Sequence, residues 1–170
     1  MQTRAQLVVT AYRAGIGLAG NLTSDGFDTH GNHDVTHDAA MRDLLTLVNT
    51  VWEEAERQDV ADRMVMVIHS DFGRTPNYNG QAGKDHWPIT SMILVGASVP
   101  DFRVVGLTDE WHRPIPLDAD TLGAADVAEE GVTIRPEHIH RSIRRFLGIE
   151  GSQMDLMFPL PGEDLDLLPA

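Results

Sequence analysis

Apolar residues recur every three or four positions between residues 38 and 58. This spacing places them on one face of an α-helix and predicts the strongest helix of the chain. The side chains that make up this face are Met41, Leu44, Leu45, Val48, Val51, Trp52 and Ala55. Weaker patterns predict a short helix over residues 4–14, closed by Gly15, and a helix that begins at Pro136 and ends at Gly148.

Short continuous apolar runs alternate with these helices. The predicted buried strands are residues 16–22, 64–68 and 90–96, with residues 102–106 as an edge strand. Such alternation is typical of an α/β layered fold, so we expect a mostly parallel sheet flanked by helices. We expect one domain of this kind over residues 1–150, followed by a loosely packed acidic tail over residues 151–170.

The composition bounds the class of protein. A chain of 170 residues suits one domain with a real core, and 42% apolar with 23% charged residues is typical of a soluble globular protein. The net charge of −13 argues against nucleic acid as a partner, because phosphate contacts need clustered Lys and Arg. The basic cluster at residues 141–145 is interpreted as one solvated helix face. No apolar run approaches the ~20 residues that span a bilayer, so no membrane partner is expected.

Two features absent from the sequence bear on its chemistry and its export. The chain has no cysteine, which excludes disulfides and thiolate metal ligands. Its first residues lack the charged start, apolar centre and cleavage site of a signal peptide. We therefore expect a soluble chain without an export address, while its location and oligomeric state stay open.

Polar residues of one chemical kind are concentrated in a single segment. Six of the eleven residues from Asp28 to Asp38 are His or Asp, which supply the nitrogen and oxygen ligands of zinc and manganese. Residues 69–74 and 83–88 carry the same chemistry. Ligands gather beyond the carboxyl ends of parallel strands, where Asp28 and Asp71 are predicted to lie. A long Gly-rich loop before the third segment could fold it back over the same edge.

Three ordered motifs resemble the signature segments of the domain-of-unknown-function 1501 family. They are Phe27-Asp28-Thr29-His30, Ser70-Asp71-Phe72-Gly73-Arg74-Thr75-Pro76 and Gly83-Lys84-Asp85-His86-Trp87-Pro88. The resemblance continues in the same order through residues 94–96, 104–106 and 136–149, and so covers nearly the whole chain up to residue 149. That family belongs to, or closely resembles, the alkaline phosphatase and sulfatase superfamily.

The resemblance implies a fold, a chemistry and a set of ligands. Members of that superfamily use one or two metal ions, bound by Asp and His at strand ends, to cleave phosphate or sulfate esters. An alkaline-phosphatase-like fold is thus implied, with Asp28, His30, Asp71 and His86 as candidate metal ligands. A divalent ion is the implied cofactor, with zinc, manganese and calcium as candidates, and a small anionic ester the implied substrate. The structural alternative is that the aspartates only cap helices or tighten turns.

Two departures from the superfamily pattern bear on these expectations. Phe72 stands where the superfamily usually has a ligand His, so one metal position is expected to be lost or built differently. The superfamily's nucleophile lies well upstream of this region. We therefore expect the chain to be the C-terminal part of a longer protein, or a reduced descendant, that lacks the superfamily's N-terminal part. Family members often carry a twin-arginine export signal, and none is present here.

The remaining polar side chains of the three segments have two interpretations each. Arg74 is a candidate catalytic residue that clamps an oxyanion with its planar fork, or it pairs with a nearby carboxylate. Asp85 either orients His86 through its ring N–H or is a loop carboxylate. His33 and His37 lie on one face if they are helical. The interpretation that we favour is that these two histidines belong to a polar segment that leads into the helix.

These observations lead to two hypotheses about function. The first is a metal-dependent hydrolase-like domain acting on phosphate or sulfate esters, which predicts bound metal and chelator-sensitive turnover. The alternative is a non-catalytic metal- or anion-binding or structural module that retains the same fold. The clustering of Asp and His favours the hydrolase for the parent architecture, whereas the missing upstream nucleophile favours the module for this chain alone.

Overall fold

The computed structural model describes residues 2–168. The chain divides into two compact units, Met1–Ala97 and Ser98–Ala170. Unit 1 contains all three Asp/His segments, and unit 2 contains the Arg-rich cluster of residues 141–145.

Two helices form the core of unit 1. α1 (Gln2–Arg13) and α2 (His33–Arg57) pack against each other, which confirms two helices predicted from apolar spacing. The buried side chains of this core are Ala5, Val9, Leu47, Val51, Ala55 and Val60. Removal of this apolar surface from water is the main favourable contribution to folding of the unit.

α2 begins earlier than its apolar pattern indicates. It starts at His33 and not at residue 38, because its first amides find acceptors in another segment. Asn32 N donates to Gln81 O at 3.3 Å, and His33 N donates to Ala82 O at 2.8 Å, which satisfies two amides that have no acceptor within the helix. His33 and His37 lie inside the helix with ring centroids 4.7 Å apart, so their interpretation as a lead-in to the helix is wrong.

A buried carboxylate paired with an exposed arginine lies near the C-terminal end of α2. The Glu54 residue is 6% exposed, and its carboxylate accepts hydrogen bonds from Arg57 and Gln58. These bonds stabilise the charged form and lower the pKa of Glu54 to about 2, although burial opposes the shift. Gln58 also donates to Thr10 at 2.9 Å and so links α2 to α1.

The expected mostly parallel, alkaline-phosphatase-like sheet is wrong. The strands of unit 1 are β1 (Val65–Ile68), β2 (Gly73–Arg74), β3 (His86–Trp87) and β4 (Ile93–Gly96). β1 pairs with β4 and β2 with β3, both antiparallel, and across residues 2–168 the strands form only two-stranded antiparallel sheets. Parallel pairing needs a crossover connection, usually a helix, and the described chain has none between β1 and β4.

Two predicted strands are also wrong. Residues 16–22 contain no strand, and Leu18 is 92% exposed. Gly20 packs directly on α1, where an added Cβ would lie 2.6 Å from Val8 Cγ1, so this glycine serves a close approach to the helix. Residues 102–106 also lie outside any strand.

Unit 2 is built around one helix and the segments next to it. β5 (Leu107–Thr108) and β6 (Pro114–Ile115) pair antiparallel. α3 (Pro136–Phe146) confirms the helix predicted from Pro136, and α4 (Gln153–Met157) follows it. Leu117 is fully buried and bridges to Ala124 and Val132.

The Arg-rich cluster of α3 holds the residues that follow α4. The Arg141 guanidinium donates to four successive carbonyls, those of residues 160–163, at 2.6–3.3 Å. Ser142 Oγ donates to Leu165 O at 2.8 Å, and Leu165 is fully buried. Arg145 pairs with carboxylates of the same unit. The cluster of Arg141, Ser142 and Arg145, which we call the arginine clasp, is therefore not a solvated helix face, and that interpretation is wrong.

Candidate metal centre

The β2–β3 hairpin brings the second and third polar segments together. In its register Arg74 lies opposite His86. The pairing continues beyond the strands, since Thr75 N donates to Asp85 O at 2.9 Å. His86 is thereby folded back beside Arg74 without any parallel strand.

Backbone contacts join the loop of residues 79–84 to the first polar segment. Lys84 N donates to Thr29 O at 2.9 Å. Gly83 lies so close to His30 that an added Cβ would be 2.0 Å from the His30 carbonyl carbon and oxygen. Only glycine allows this approach of two backbones, and the loop therefore carries the third segment up against His30.

Asp28, His30 and His86 converge on one small volume. His30 Nε2 lies 3.1 Å from Asp28 Oδ1 and 3.1 Å from His86 Nε2, and His86 Nε2 lies 3.5 Å from Asp28 Oδ1. All three residues are exposed. Among the residues that the structure describes, this Asp–His–His group has the donor types and spacing to hold a metal ion.

Arg74 is the cation beside the Asp–His–His group. Its Nη2 donates to Asp28 Oδ1 at 2.6 Å, while its Nη1 donates to Lys84 O at 3.1 Å and lies 3.4 Å from His30 Nε2. The Arg74 side chain is 14% exposed. Its hydrogen bond is the main cause that holds the pKa of Asp28 below the usual range, so Asp28 stays ionised at neutral pH.

Asp85 hydrogen-bonds the ring of His30. Asp85 Oδ1 lies 3.0 Å from His30 Nδ1, and this bond, followed by one from Asn79, lowers the pKa of Asp85. A neutral His30 with its proton on Nδ1 directs the lone pair of Nε2 toward the other two members of the group. The sequence suggested His86 as the imidazole that Asp85 orients; the hydrogen bond goes to His30 instead.

Phe72 forms an apolar wall beside the group. Its ring centroid lies 4.1 Å from that of His86, with the planes inclined by 36°. The guanidinium carbon of Arg74 lies 5.7 Å from the same ring. Phe72 therefore packs against one of the group's imidazoles at the position where the resemblance expects a ligand His.

Of the four predicted ligands, the structure brings three together. Asp71 is exposed in the bend between β1 and β2 and is not part of the Asp–His–His group, so its role as a ligand stays a prediction. Arg74 lies at the group, where it pairs with the carboxylate of Asp28; its role as an anion clamp also stays a prediction.

Asn79 lies beside the group, although the sequence pattern does not point to it. Together with His30, Gly80, Gln81 and Asp85 it lines a concavity of about 500 Å³. In the sequence, Asn79 lies in a loop rich in Gly, Asn and Pro, where asparagine is common because it forms turns. That place in the loop carries no information about the side chains that Asn79 contacts across the fold.

The chain belongs to the family described as protein of unknown function (DUF1501), which matches residues 12–154. This confirms the family predicted from the three motifs, and the matched range includes the Asp–His–His group and Arg74. No curated protein and no solved structure matches the chain significantly. Among the described helices, none has the length and apolar character needed to cross a membrane.

Proposed function

We propose that the chain is a metal-dependent hydrolase-like domain that binds one divalent ion through Asp28, His30 and His86 and acts on phosphate or sulfate esters. Two kinds of observation support this proposal. The geometry of the Asp–His–His group supports the metal ion, and the resemblance of the motifs to alkaline phosphatases and sulfatases supports the ester substrate.

The spacing of the three donor atoms is the observation on which the proposal depends. Ligand atoms about 2.0–2.1 Å from a tetrahedral zinc ion lie about 3.3 Å from one another. The distances of 3.1, 3.1 and 3.5 Å within the Asp–His–His group lie on both sides of this value. The two Nε2 atoms lie 3.1 Å apart, and in the tautomer in which both carry a lone pair a shared cation removes the repulsion between them. The residues therefore fit a small divalent ion.

The donor set favours zinc or manganese over calcium. Two imidazole nitrogens and one carboxylate oxygen suit a transition-metal ion, whereas calcium takes oxygen ligands. Three protein donors also leave a coordination position for substrate, which catalytic sites need.

Each residue around the group has a separate task in the proposed reaction. A divalent ion held by Asp28, His30 and His86 would polarise an ester oxygen and lower the pKa of water toward neutrality. Arg74 has five N–H donors, more than it uses on Asp28, Lys84 and His30, and a guanidinium binds phosphate or sulfate oxygens through two of them. The concavity of about 500 Å³ beside His30 has room for the leaving group of a small ester.

A non-catalytic metal-binding module is the second candidate. Thr29, the hydroxyl residue between two of the proposed ligands, is 1% exposed, and its Oγ1 lies 2.6 Å from His33 Nδ1. Its hydroxyl is therefore engaged inside the protein and cannot attack a substrate at the group. A module of this kind binds metal without turning over an ester.

Turnover of p-nitrophenyl phosphate and p-nitrophenyl sulfate by the zinc- or manganese-loaded chain tests the proposal. We expect turnover that a chelator abolishes and added metal restores. His86→Ala should lower it by more than the roughly 10–100-fold that loss of an outer partner costs, because it removes a ligand itself. Metal binding without turnover would favour the module, and neither metal binding nor turnover would contradict both candidates.

His140→Ala is the matched control for this experiment. It makes the same substitution at an exposed histidine of α3 in unit 2. Turnover and metal content of this variant should equal those of the wild type.

A further inference from the structure

Asn79 uses every hydrogen-bonding group of its side chain. Its Nδ2 donates to Asp85 Oδ1 at 3.0 Å and to His30 O at 3.1 Å. Its Oδ1 accepts from Gln81 N at 2.9 Å and from Gly83 N at 3.0 Å. A carboxamide offers two N–H donors and two acceptor lone pairs. All four are used, and the orientation is fixed because the two backbone amides can only donate.

The two donated bonds lead to the metal centre. Asp85 Oδ1 accepts from Asn79 and lies 3.0 Å from His30 Nδ1. The Asp85 side chain is 56% exposed, so without Asn79 its contact with His30 would be the main restraint on its rotamers. The second bond, to His30 O, holds the backbone of the same histidine. Asn79 thus restrains His30 twice, once directly and once through a carboxylate.

We propose that Asn79 is a positioning residue of the metal centre, which holds Asp85 on His30 Nδ1 and so keeps His30 Nε2 without a proton and able to bind the ion. The inference rests on the proposed function, because it concerns the preparation of one ligand of that site. Loss of outer partners that orient a metal-bound histidine lowers metal affinity roughly 10–100-fold.

Asn79 also closes the loop of residues 79–83 through its Oδ1, so its removal can act on the loop alone. The two roles differ in their dependence on Asp85. If Asn79 acts on zinc affinity through Asp85, and its bond to His30 O contributes little, then Asn79→Ala has little further effect in a chain that already carries Asp85→Ala. If it acts only on the loop, the two substitutions lower metal affinity independently.

A double-mutant cycle on zinc affinity separates these roles. The affinity of the full chain is measured by competition with a chromophoric chelator for wild type, Asn79→Ala, Asp85→Ala and the double variant. We expect each single variant to bind zinc roughly 10–100-fold more weakly, and the double variant to lie within about threefold of Asp85→Ala. Thermal melting of each variant reports whether it is folded.

Gln81→Ala is the matched control for the loop. It removes another carboxamide two residues away but keeps the backbone N–H that donates to Asn79 Oδ1. Zinc affinity of this variant should equal that of the wild type.

The ring nitrogens of His30 in the metal-free chain give a second readout, by ¹⁵N NMR. We expect the Nδ1–H tautomer in the wild type and a gain of the Nε2–H tautomer in Asn79→Ala. If Asn79→Ala and Asp85→Ala lowered zinc affinity independently, or if Asn79→Ala bound zinc as tightly as the wild type, the inference about Asn79 would be overturned. The proposed function would stand in either case. A wild-type chain that binds no zinc would overturn the proposed function and this inference with it.

Discussion

Arg74 in unit 1 and Arg141 in unit 2 are both surrounded by acceptors, but the acceptors differ in kind. Arg141 donates to four successive backbone carbonyls at 2.6–3.3 Å. Arg74 donates to Asp28 Oδ1 at 2.6 Å and lies 3.4 Å from His30 Nε2. Backbone carbonyls do not titrate, whereas carboxylates and imidazoles exchange protons and bind metal ions.

This difference separates a structural cluster from a candidate site. The arginine clasp donates to carbonyls of a segment without regular structure and so holds that segment on α3. The Asp–His–His group leaves its exchangeable donors exposed. Substitutions in the clasp should therefore change the stability of unit 2, and substitutions at the group should change ligand binding.

The largest effect is expected for Gly83→Ala, which disrupts the framework of the group. Its Cβ would lie 2.0 Å from the backbone of His30, and relief of such an overlap costs about 3 kcal/mol of the free energy of unfolding. Zinc affinity should fall as well, because His30 must move. Denaturant unfolding and zinc titration measure both effects.

Gly80→Ala is the control for that substitution, since nothing lies within 4 Å of a Cβ added at Gly80. It should match the wild type in stability and zinc affinity. If Gly83→Ala behaved like Gly80→Ala, the close packing of the loop on His30 would be contradicted.

The next largest effect is expected for Arg141→Ala, which breaks the arginine clasp. Loss of bonds from a charged donor to four carbonyls should lower the stability of unit 2 by about 2 kcal/mol and leave zinc affinity unchanged. Hydrogen exchange of the amides of α3 measures the change. Arg42→Ala removes only an exposed pair with Asp38 and should cost less than about 0.5 kcal/mol. Equal stability of the two variants would contradict the structural role of the clasp.

A smaller effect is expected for Arg74→Lys, which keeps the charge but loses the planar fork. Affinity of the zinc-loaded chain for inorganic phosphate should fall about tenfold, because an ammonium cannot bind an oxyanion through two parallel bonds. Isothermal titration calorimetry measures it, with Arg42→Lys as the control. Unchanged phosphate affinity would mean that Arg74 only pairs with Asp28.

The smallest predicted effect is the pH dependence of stability that Glu54 of α2 contributes, which is absent near neutral pH. Hydrogen bonds from Arg57 and Gln58 lower the pKa of Glu54 from 4.5 to about 2. The ionised carboxylate therefore stabilises unit 1 fully above pH 4.5, and this stabilisation is lost as the pH falls from 4.5 through about 2, since the unfolded chain takes up the proton first. The difference in unfolding free energy between wild type and Glu54→Gln should shrink only in that window. A difference in unfolding free energy that already shrinks above pH 4.5 would contradict the assignment of this stabilisation to the ionised Glu54 carboxylate.

Three of the four α-helices described could be predicted from the sequence, but α4 and the sheet could not. α1, α2 and α3 carry apolar residues at helical spacing, which is a local signal. A continuous apolar run such as Val65–Ile68 predicts a strand but says nothing about the direction of its partner. That direction depends on the connection, and β1 and β4 are joined by a loop with a short hairpin, whereas a parallel pair needs a crossover, usually a helix.

The candidate site could be predicted in its residues but not in its construction. Asp28, His30 and His86 stood out by residue type and by the family motifs, and they were expected to meet at the edge of a parallel sheet. Their convergence comes instead from the β2–β3 hairpin and from the glycine contact at His30. Asp71 carried the same signal and lies outside the group, because residue type does not determine distance.

The metal content of the chain purified without an affinity tag tests the central claim most directly, with Asp28→Asn compared with Asp71→Asn. Both variants replace an exposed motif aspartate by its amide, but only Asp28 belongs to the Asp–His–His group. We predict about one zinc or manganese ion per chain in the wild type and in Asp71→Asn, and little metal in Asp28→Asn. Absence of metal from the wild type after dialysis against zinc and manganese, or wild-type metal content in Asp28→Asn, would contradict the claim.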